Sequence, residues 1–325
     1  MSFISADQLA TVAAVADTGS FDRAGQRLNV TTSAISQRVK ALERALGQVL
    51  IRRGTPCRLT PAGTVVLRHA RQAALLEAEL RAELAAADGT SGGPAGGVEL
   101  PVAVNADSLA TWFPAVFDQA AAWPGVRLAL HVEDEEHTAG LLRDGVVLGA
   151  VSADPAPVHG CRRQALTTMT YRPYARADLL AAATGRHGAD LRTLPPVRYD
   201  AKDDLQDRAL RAAGVTEAVP GPRIPNSQAF VAAVLAGLGW GMLPAAQLPA
   251  GHGLVEVPGL APVVRRLYWH RWKLDSAWLD RLTDAVVAAA RTADRDPADP
   301  ADPASHQQPR TQRPGTPSPA RASKG

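Results

Sequence analysis

The stretch that most constrains the fold of this 325-residue chain runs from Phe21 to Gly47 and reads FDRAGQRLNVTTSAISQRVKALERALG. Within it, Phe21, Ala24 and Leu28 recur three and four residues apart, so they share one face of a predicted helix. Ser20 precedes them and can cap the first turn. The pattern then breaks and a second helical pattern begins, which predicts a helix, a tight turn and a second helix.

The second predicted helix also has an apolar face. Thr31 is suited to cap it, and Ile35, Val39, Leu42 and Leu46 recur at helical spacing. We expect this face to pack in a core together with the first helix. A helix predicted from Ala6 to Asp17 would complete a three-helix core.

The opposite face of the second helix carries polar side chains suited to DNA. Ser33, Ser36, Gln37 and Lys40 follow at i, i+3, i+4 and i+7. Glutamine can pair with adenine in the major groove, serine can reach a base edge or a phosphate, and Arg38 and Lys40 suit the phosphate backbone. The pattern is typical of a helix-turn-helix whose recognition helix comes second. The alternative is a polar face that is merely solvated.

A short basic hairpin follows the helices. The segment VLIRRGTPCRLT reads as a strand, a Gly-Thr-Pro turn and a return strand, which predicts a wing. Its arginines suit phosphates or a narrow minor groove, although each could instead be solvated. The residues predicted to contact DNA are Thr32, Ser33, Ser36, Gln37, Arg38, Lys40, Arg52, Arg53 and Arg58.

These segments carry a family resemblance. The residues AAVADTGSFDRAGQRLNVTTSAISQRVKALERALGQVLIRR, with TPAG following, resemble the N-terminal winged helix-turn-helix of LysR-type transcriptional regulators. Members of that family join this module through a long dimerising helix to a two-lobed effector-binding domain. The resemblance therefore implies an N-terminal all-α winged helix-turn-helix with a long linker helix, followed by a C-terminal α/β two-lobed domain like periplasmic binding proteins.

Composition marks a hinge and a tail in the rest of the chain, and the family resemblance implies two lobes between them. The predicted divisions are residues 1–60 for the winged helix-turn-helix DNA-binding domain, 61–88 for the dimerisation linker helix, 89–97 for a hinge, 98–164 with 263–292 for regulatory lobe I, 165–262 for regulatory lobe II and 293–325 for a disordered tail.

The predicted linker helix starts at Thr60-Pro61, a cap followed by a residue with a pre-set φ. An apolar stripe runs along it, formed by Val66, Ala70, Ala73, Leu76, Leu80 and Leu84. The stripe is too narrow for a globular core, so we expect it to pair two subunits in a homodimer or homotetramer. Such a pairing predicts a double-stranded DNA site with approximate dyad symmetry.

Length and charge agree with a DNA-binding protein of several domains. A chain of 325 residues exceeds what one core usually organises. The net charge of +3 is too small for coating nucleic acid without specificity. Cys57 and Cys161 form no metal-binding motif, and no cofactor is predicted. The sequence shows no signal peptide and no run of about 18 apolar residues, so we expect a cytoplasmic protein without a membrane span.

Strand and helix patterns alternate after the hinge, which predicts a parallel sheet with ligands beyond its strand ends. Ser108 is predicted there at a helix start, whose free N–H groups would hold a carboxylate. Acidic stretches follow two other predicted strands, at 133–136 and 200–204, and Ser227 starts a further helix. This arrangement predicts a site for a zwitterion that carries an extra positive charge.

The segments VNADSLATWF, VEDEEHT, LGAVS, NSQAFV and LYWHRW resemble those of the ArgP/LysG group, the lysine- and arginine-responsive branch of the family. This resemblance implies a regulator that senses lysine, arginine or histidine and, with RNA polymerase, controls an amino acid exporter gene. The implied effector-binding residues are Asn105, Asp107, Ser108, Trp112, Glu133, Asp134, Asp204 and Ser227.

Some residues of this set are also predicted to hold a particular group of the effector. Ser108 and its helix terminus are predicted to hold the α-carboxylate, and Glu133, Asp134 and Asp204 the cationic groups. Each acid could instead be a solvated surface residue, and Trp112 could equally be a core residue or a lid.

Other functions remain as alternatives. The regulator could serve a different small-molecule pathway. A hydrolytic enzyme could in principle use Ser108, His137 and Asp134, but no GxSxG surrounds the serine and no phosphate-binding loop is present. A transport receptor would need an export signal, and an architectural DNA protein would leave the acidic stretches without a role. We therefore expect a regulator and no enzyme.

Overall fold

The computed structural model describes residues 4–87, 98–132, 138–185 and 188–293. The predicted hinge, the predicted tail from residue 294 and the acidic residues Glu133 and Asp134 lie outside the described residues. The helices are α1 (Ala6–Thr18), α2 (Phe21–Arg27), α3 (Thr32–Leu46), α4 (Pro61–Ala87), α5 (Ala106–Ala110), α6 (Pro114–Ala120), α7 (Thr138–Arg143), α8 (Ala177–Ala182), α9 (Leu205–Ala212), α10 (Ser227–Leu235) and α11 (Ala277–Ala293). The strands are β1 (Ile51–Arg52), β2 (Arg58–Leu59), β3 (Val98–Val104), β4 (Val126–Val132), β5 (Gly149–Ser152), β6 (Cys161–Arg176), β7 (Thr184–Gly185), β8 (Gly188–Ala189), β9 (Gly241–Pro244), β10 (Leu254–Glu256) and β11 (Val263–Trp272).

Helices α1, α2 and α3 enclose a separate core that includes Val12, Ile35 and Leu42, all fully buried. The turn between α2 and α3 depends on Gly25, because a Cβ there would lie 2.7 Å from the carbonyl oxygen of Val30. Strands β1 and β2 form an antiparallel hairpin after α3. The predicted winged helix-turn-helix is thus confirmed. Within α3 the predicted core residue Leu46 is 38% exposed, since it is the last residue of the helix.

The long helix α4 begins as predicted, with the Thr60 hydroxyl accepting a hydrogen bond from the Gly63 N–H at 3.1 Å. Its apolar stripe is not one continuous surface. Val66 and Ala70 are buried within the chain, whereas Leu76, Leu80 and Leu84 are exposed. The first part of the stripe therefore packs inside the subunit, and the expectation that the whole stripe faces a partner is corrected.

A seven-stranded sheet organises the regulatory part, in the order β10-β6-β11-β5-β3-β4 with β9 also paired to β6. Strand β3 runs parallel to β4 and β5, while the long strands β6 and β11 are antiparallel to each other. The register of β6 against β11 shifts between Arg266 and Tyr268. This shift separates two halves of the sheet.

We call the half that contains β3, β4 and β5 the first lobe and the half that contains β9 and β10 the second lobe. Strand β5 pairs with β11 only from Tyr268 onward, and β9 pairs with β6 only from Tyr171 onward. The two long strands therefore join the lobes, as a two-lobed domain requires. The exact residue limits of the domains stay predictions.

Helix α4 also packs on the first lobe. Leu75 is buried in the regulatory core, and the Arg68 guanidinium lies 5.0 Å from the centre of the Trp272 ring. One carboxylate oxygen of Glu79 accepts hydrogen bonds from the Ser276 hydroxyl at 2.6 Å and from the Trp278 N–H at 2.8 Å, at the start of α11. The helix that carries the DNA-binding module is therefore fixed to the regulatory part. None of the described helices is long and apolar enough to cross a membrane.

Candidate functional site

The first candidate site is the exposed face of α3. The Thr31 hydroxyl caps the helix by accepting a hydrogen bond from the Ala34 N–H at 3.2 Å. Ile35 and Val39 turn into the core, which leaves Ser33, Gln37 and Lys40 exposed on the other side. These three side chains can reach base edges and phosphates in a major groove. Their contacts with DNA stay predictions.

Other predicted DNA-contacting residues have partners inside the module. Thr32 donates its hydroxyl hydrogen to Asp22 at 2.7 Å, across the turn between the two helices. Arg38 forms an ion pair with Asp7 at 2.9 Å. In the wing, Arg52, Arg53 and Arg58 are exposed, and the Arg53 guanidinium lies 4.9 Å from the centre of the Phe21 ring. Thr32, Arg38 and Arg53 therefore also stabilise the module.

The second candidate site is a cavity of about 290 Å³ between the two lobes. It lies beyond the carboxyl ends of the parallel strands β3 and β4, where ligands of such sheets collect. Its size is close to the lower end for small-molecule pockets, about 300–1,000 Å³, which suits an amino acid. The residues that line it include Asn105, Asp107, Tyr171, Tyr199, Asp200, Lys202, Asp203, Asp204, Gln206, Ser227, Phe230, Gln247 and Arg265.

Backbone N–H groups hold two carboxylates of the cavity in place. Asp203 accepts hydrogen bonds from the N–H of Tyr199 at 2.8 Å and from that of Leu205 at 3.1 Å. Asp200 accepts from the N–H of Lys202 at 2.7 Å and from that of Asp203 at 3.0 Å. The loop before α9 is thereby folded so that both carboxylates belong to the cavity wall.

The carboxyl group of Asp203 has a raised pKa. Burial is the largest cause, because it disfavours the charged form, and the nearby charges of Asp107 and Asp200 act in the same direction. The two backbone hydrogen bonds oppose the shift. A cation placed among these carboxylates would favour their charged form and so offset both the effect of burial and the mutual repulsion.

Asp204 has a different role from its neighbour. Its carboxylate accepts from Arg208 at 2.6 Å and from Arg265 at 3.3 Å, so its charge is already balanced by two guanidinium groups. The prediction that Asp204 holds a cation of the effector stays untested. The geometry favours Asp203 for that role.

The structure brings four of the predicted effector residues to the cavity, namely Asn105, Asp107, Asp204 and Ser227. Ser108 and Trp112 do not line it. Helix α5 begins at Ala106 and not at Ser108 as predicted, so the Ser108 side chain turns into the protein and is fully buried. Trp112 packs beside Phe113 in the core, with ring centres 5.7 Å apart. Their predicted position is therefore corrected, and Glu133 and Asp134 lie outside the described residues.

Several cavity residues were not predicted. Asp200 and Asp203 belong to an acidic stretch that the sequence does mark, although it does not separate them from Asp204. Gln206 is 1% exposed, and its Oε1 has no hydrogen-bond partner among the described residues. Nothing in the sequence indicates Tyr171 or Gln247, since each comes from a segment distant from the acidic stretches.

Two family descriptions match the two parts of the chain. Residues 6–64 match the family described as bacterial regulatory helix-turn-helix protein, lysR family, and residues 93–294 match the LysR substrate binding domain. The lysine export transcriptional regulatory protein LysG of Corynebacterium efficiens is 44% identical over 292 residues, which are 88% of this chain and 98% of that protein.

Two solved structures are similar over most of their length. Full-length LysG from Corynebacterium glutamicum with bound effector Arg is 41% identical, with a TM-score of 0.70, and the match covers 89% of this chain and 98% of that one. ArgP from Mycobacterium tuberculosis is 44% identical, with a TM-score of 0.74, over 87% of this chain and 96% of that one. These proteins are transcriptional regulators, so the expectation that the chain is not an enzyme is confirmed. Because its N-terminal residues match the LysR helix-turn-helix family and the residues after them match the LysR substrate binding domain, the chain belongs to the LysR family of bacterial transcriptional regulators.

Proposed function

We propose that this regulator senses a basic amino acid, namely lysine, arginine or histidine, and controls transcription of an amino acid exporter gene. The observation that carries the proposal is the pair of carboxylates of the cavity-lining residues Asp200 and Asp203, which accept hydrogen bonds from backbone N–H groups. Among the described residues, neither carboxylate forms an ion pair with a guanidinium. The similar LysG with bound Arg supports the same ligand class.

The proposed mechanism links the cavity to DNA through α4. A homodimer or homotetramer holds a dyad-like operator through α3 and the wing, in the cytoplasm, and contacts RNA polymerase at the promoter. An effector can change this arrangement only by its difference in affinity between two arrangements of the protein. The contacts of Glu79 and Arg68 with the first lobe give that difference a route to the DNA-binding module.

The test is a calorimetric titration of the full-length protein with lysine, arginine, histidine and leucine. We expect saturable binding of at least one basic amino acid and none of leucine, because leucine offers no second positive charge to Asp200 and Asp203. Equal binding of leucine would contradict the proposed ligand class. Absence of binding to all four by a folded protein would indicate a regulator of a different small-molecule pathway.

A further inference from the structure

One carboxylate of the cavity, that of Asp107, accepts hydrogen bonds from other side chains at both of its oxygens. Its Oδ2 accepts a hydrogen bond from the Tyr171 hydroxyl at 2.9 Å. Its Oδ1 accepts from the Ser227 hydroxyl at 3.1 Å and from the Gln247 amide at 2.9 Å. All three donors are neutral, and together they occupy three of the roughly four acceptor positions of the carboxylate.

The donors and the acceptor come from opposite lobes. Asp107 lies in α5, directly after β3 of the first lobe. Ser227 is the first residue of α10, and Gln247 ends the helical turn that follows β9, both in the second lobe. Tyr171 lies where β6 begins to pair with β9. Tyr171 thus lies on a strand that joins the lobes, whereas the hydrogen bonds from Ser227 and Gln247 exist only while the two lobes are close together.

We propose that Asp107 is an inter-lobe clasp, which holds the two lobes together without effector and so positions the carboxylates of Asp200 and Asp203. In this role Asp107 is a positioning residue and not a direct ligand of the effector's cationic group. The two hydrogen bonds from the second lobe can bias the lobes toward closure, because they form in the closed arrangement and are lost in an open one. The part that concerns the ligand rests on the proposed function, whereas the part that concerns closure does not.

The closure test measures hydrogen–deuterium exchange of the ligand-free full-length protein in peptides spanning 226–236 and 241–248. Asp107→Ala removes the clasp, and we expect exchange there to be about tenfold faster than in wild type. Asp107→Asn keeps the shape, because its Oδ1 can accept from Ser227 and Gln247 and its Nδ2 can donate to the Tyr171 oxygen. We expect exchange within about threefold of wild type for that variant.

Hydrogen exchange in peptides of α1 to α3 is the control, because these peptides would also exchange faster if Asp107→Ala unfolded the whole protein. If they also exchange faster, the test rests on Ser227→Ala and Gln247→Ala, since each keeps the carboxylate and removes one donor of the second lobe. Each should accelerate exchange by a few fold, less than Asp107→Ala. Unchanged exchange in Asp107→Ala, or in both single-donor variants, would overturn the clasp. So would exchange in Asp107→Asn as fast as in Asp107→Ala.

The ligand test compares arginine titrations of Asp107→Asn and Asp203→Asn. A clasp predicts at least tenfold weaker binding for Asp203→Asn and at most about threefold weaker binding for Asp107→Asn. An equal loss in both variants would make Asp107 a direct ligand and overturn the assignment. If the wild type binds no basic amino acid, the proposed function fails, while the exchange measurements still decide whether Asp107 joins the lobes.

Discussion

The DNA-reading face and the effector cavity are assembled in opposite ways. The face is carried by α3, 15 consecutive residues whose cap, apolar stripe and polar stripe lie in the same short stretch. The cavity is lined by residues between Asn105 and Arg265, which come from three helices, four strands and the loops around them. A site of the first kind follows from local pattern, whereas a site of the second kind depends on which distant segments the sheet brings together.

The comparison also implies that the two sites can be changed independently. In the described part of the chain, the DNA-binding module and the cavity are connected by α4, whose residues Arg68, Leu75 and Glu79 contact the first lobe. A substitution in the cavity should therefore change ligand binding before it changes DNA binding, and the reverse should hold for α3. Each of the following predictions tests that separation.

The largest effect is expected for Asp203→Ala. Removing this half-buried carboxylate should leave the cation of the effector without its partner, a loss of about 2–5 kcal/mol, which corresponds to at least about thirtyfold weaker arginine binding. The loss of arginine affinity is measured by calorimetric titration. Binding of the ligand-free protein to DNA should change by less than about twofold, measured by fluorescence anisotropy. Asp118→Ala, an exposed acid on α6, is the control. A parallel loss of DNA affinity would break the separation.

Gln37→Ala should weaken binding to a duplex selected by the wild-type protein from a random pool, by about 1–3 kcal/mol, and leave binding to a scrambled duplex unchanged. The reason is that a glutamine that pairs with a base edge carries sequence information. Lys40→Ala is the comparator, since loss of a phosphate contact should lower both affinities equally and reduce the salt slope by about one. Equal losses on both duplexes for Gln37→Ala would assign that residue to the backbone.

Arginine affinity should fall on acidification from about pH 7 toward the ordinary carboxyl range at about pH 4. The pKa of Asp203 is raised by burial and by the charges of Asp107 and Asp200, so protons compete with the cation at a higher pH than at an ordinary carboxyl group. The effector stays cationic over this range, so the sign is a loss of affinity on acidification. Asp203→Asn should lose this dependence, measured by calorimetry at each pH. The same slope in wild type and variant would contradict the assignment.

The smallest effect is expected for Asp7→Asn, which releases Arg38 from its ion pair. Asp7 is 72% exposed at its side chain, and exposed pairs contribute about 0.2–1 kcal/mol. A released Arg38 should raise affinity for the scrambled duplex by at most about fivefold, measured by anisotropy at low salt. Asp118→Asn should have no such effect. A lower affinity would mean that the ion pair presents Arg38 to DNA in the right orientation.

The sequence by itself determined the DNA-reading module. The caps and the helical spacing lie within a few residues of the side chains that they position, so Ser33, Gln37 and Lys40 could be placed on an exposed face before any tertiary contact was known. The alternation of strands and helices indicated an α/β regulatory part, but the predicted parallel sheet is in fact mixed, because the long strands β6 and β11 run antiparallel to each other and β5 runs antiparallel to β11. The sequence could not predict that only the first part of the α4 stripe is buried. The burial of Val66 and Ala70 depends on the packing of α4 against α1, which no pattern within α4 specifies.

Only the tertiary structure decided the roles inside the cavity. Asp203 and Asp204 are identical neighbours in sequence, yet two backbone N–H groups direct one to the cavity while Arg208 and Arg265 balance the other. Asp107 was predicted as an effector ligand, but its partners lie 64 to 140 residues away in sequence. The physical reason is that the charge and burial of a carboxylate are set by the groups around it in space, and no local pattern of the chain specifies those groups.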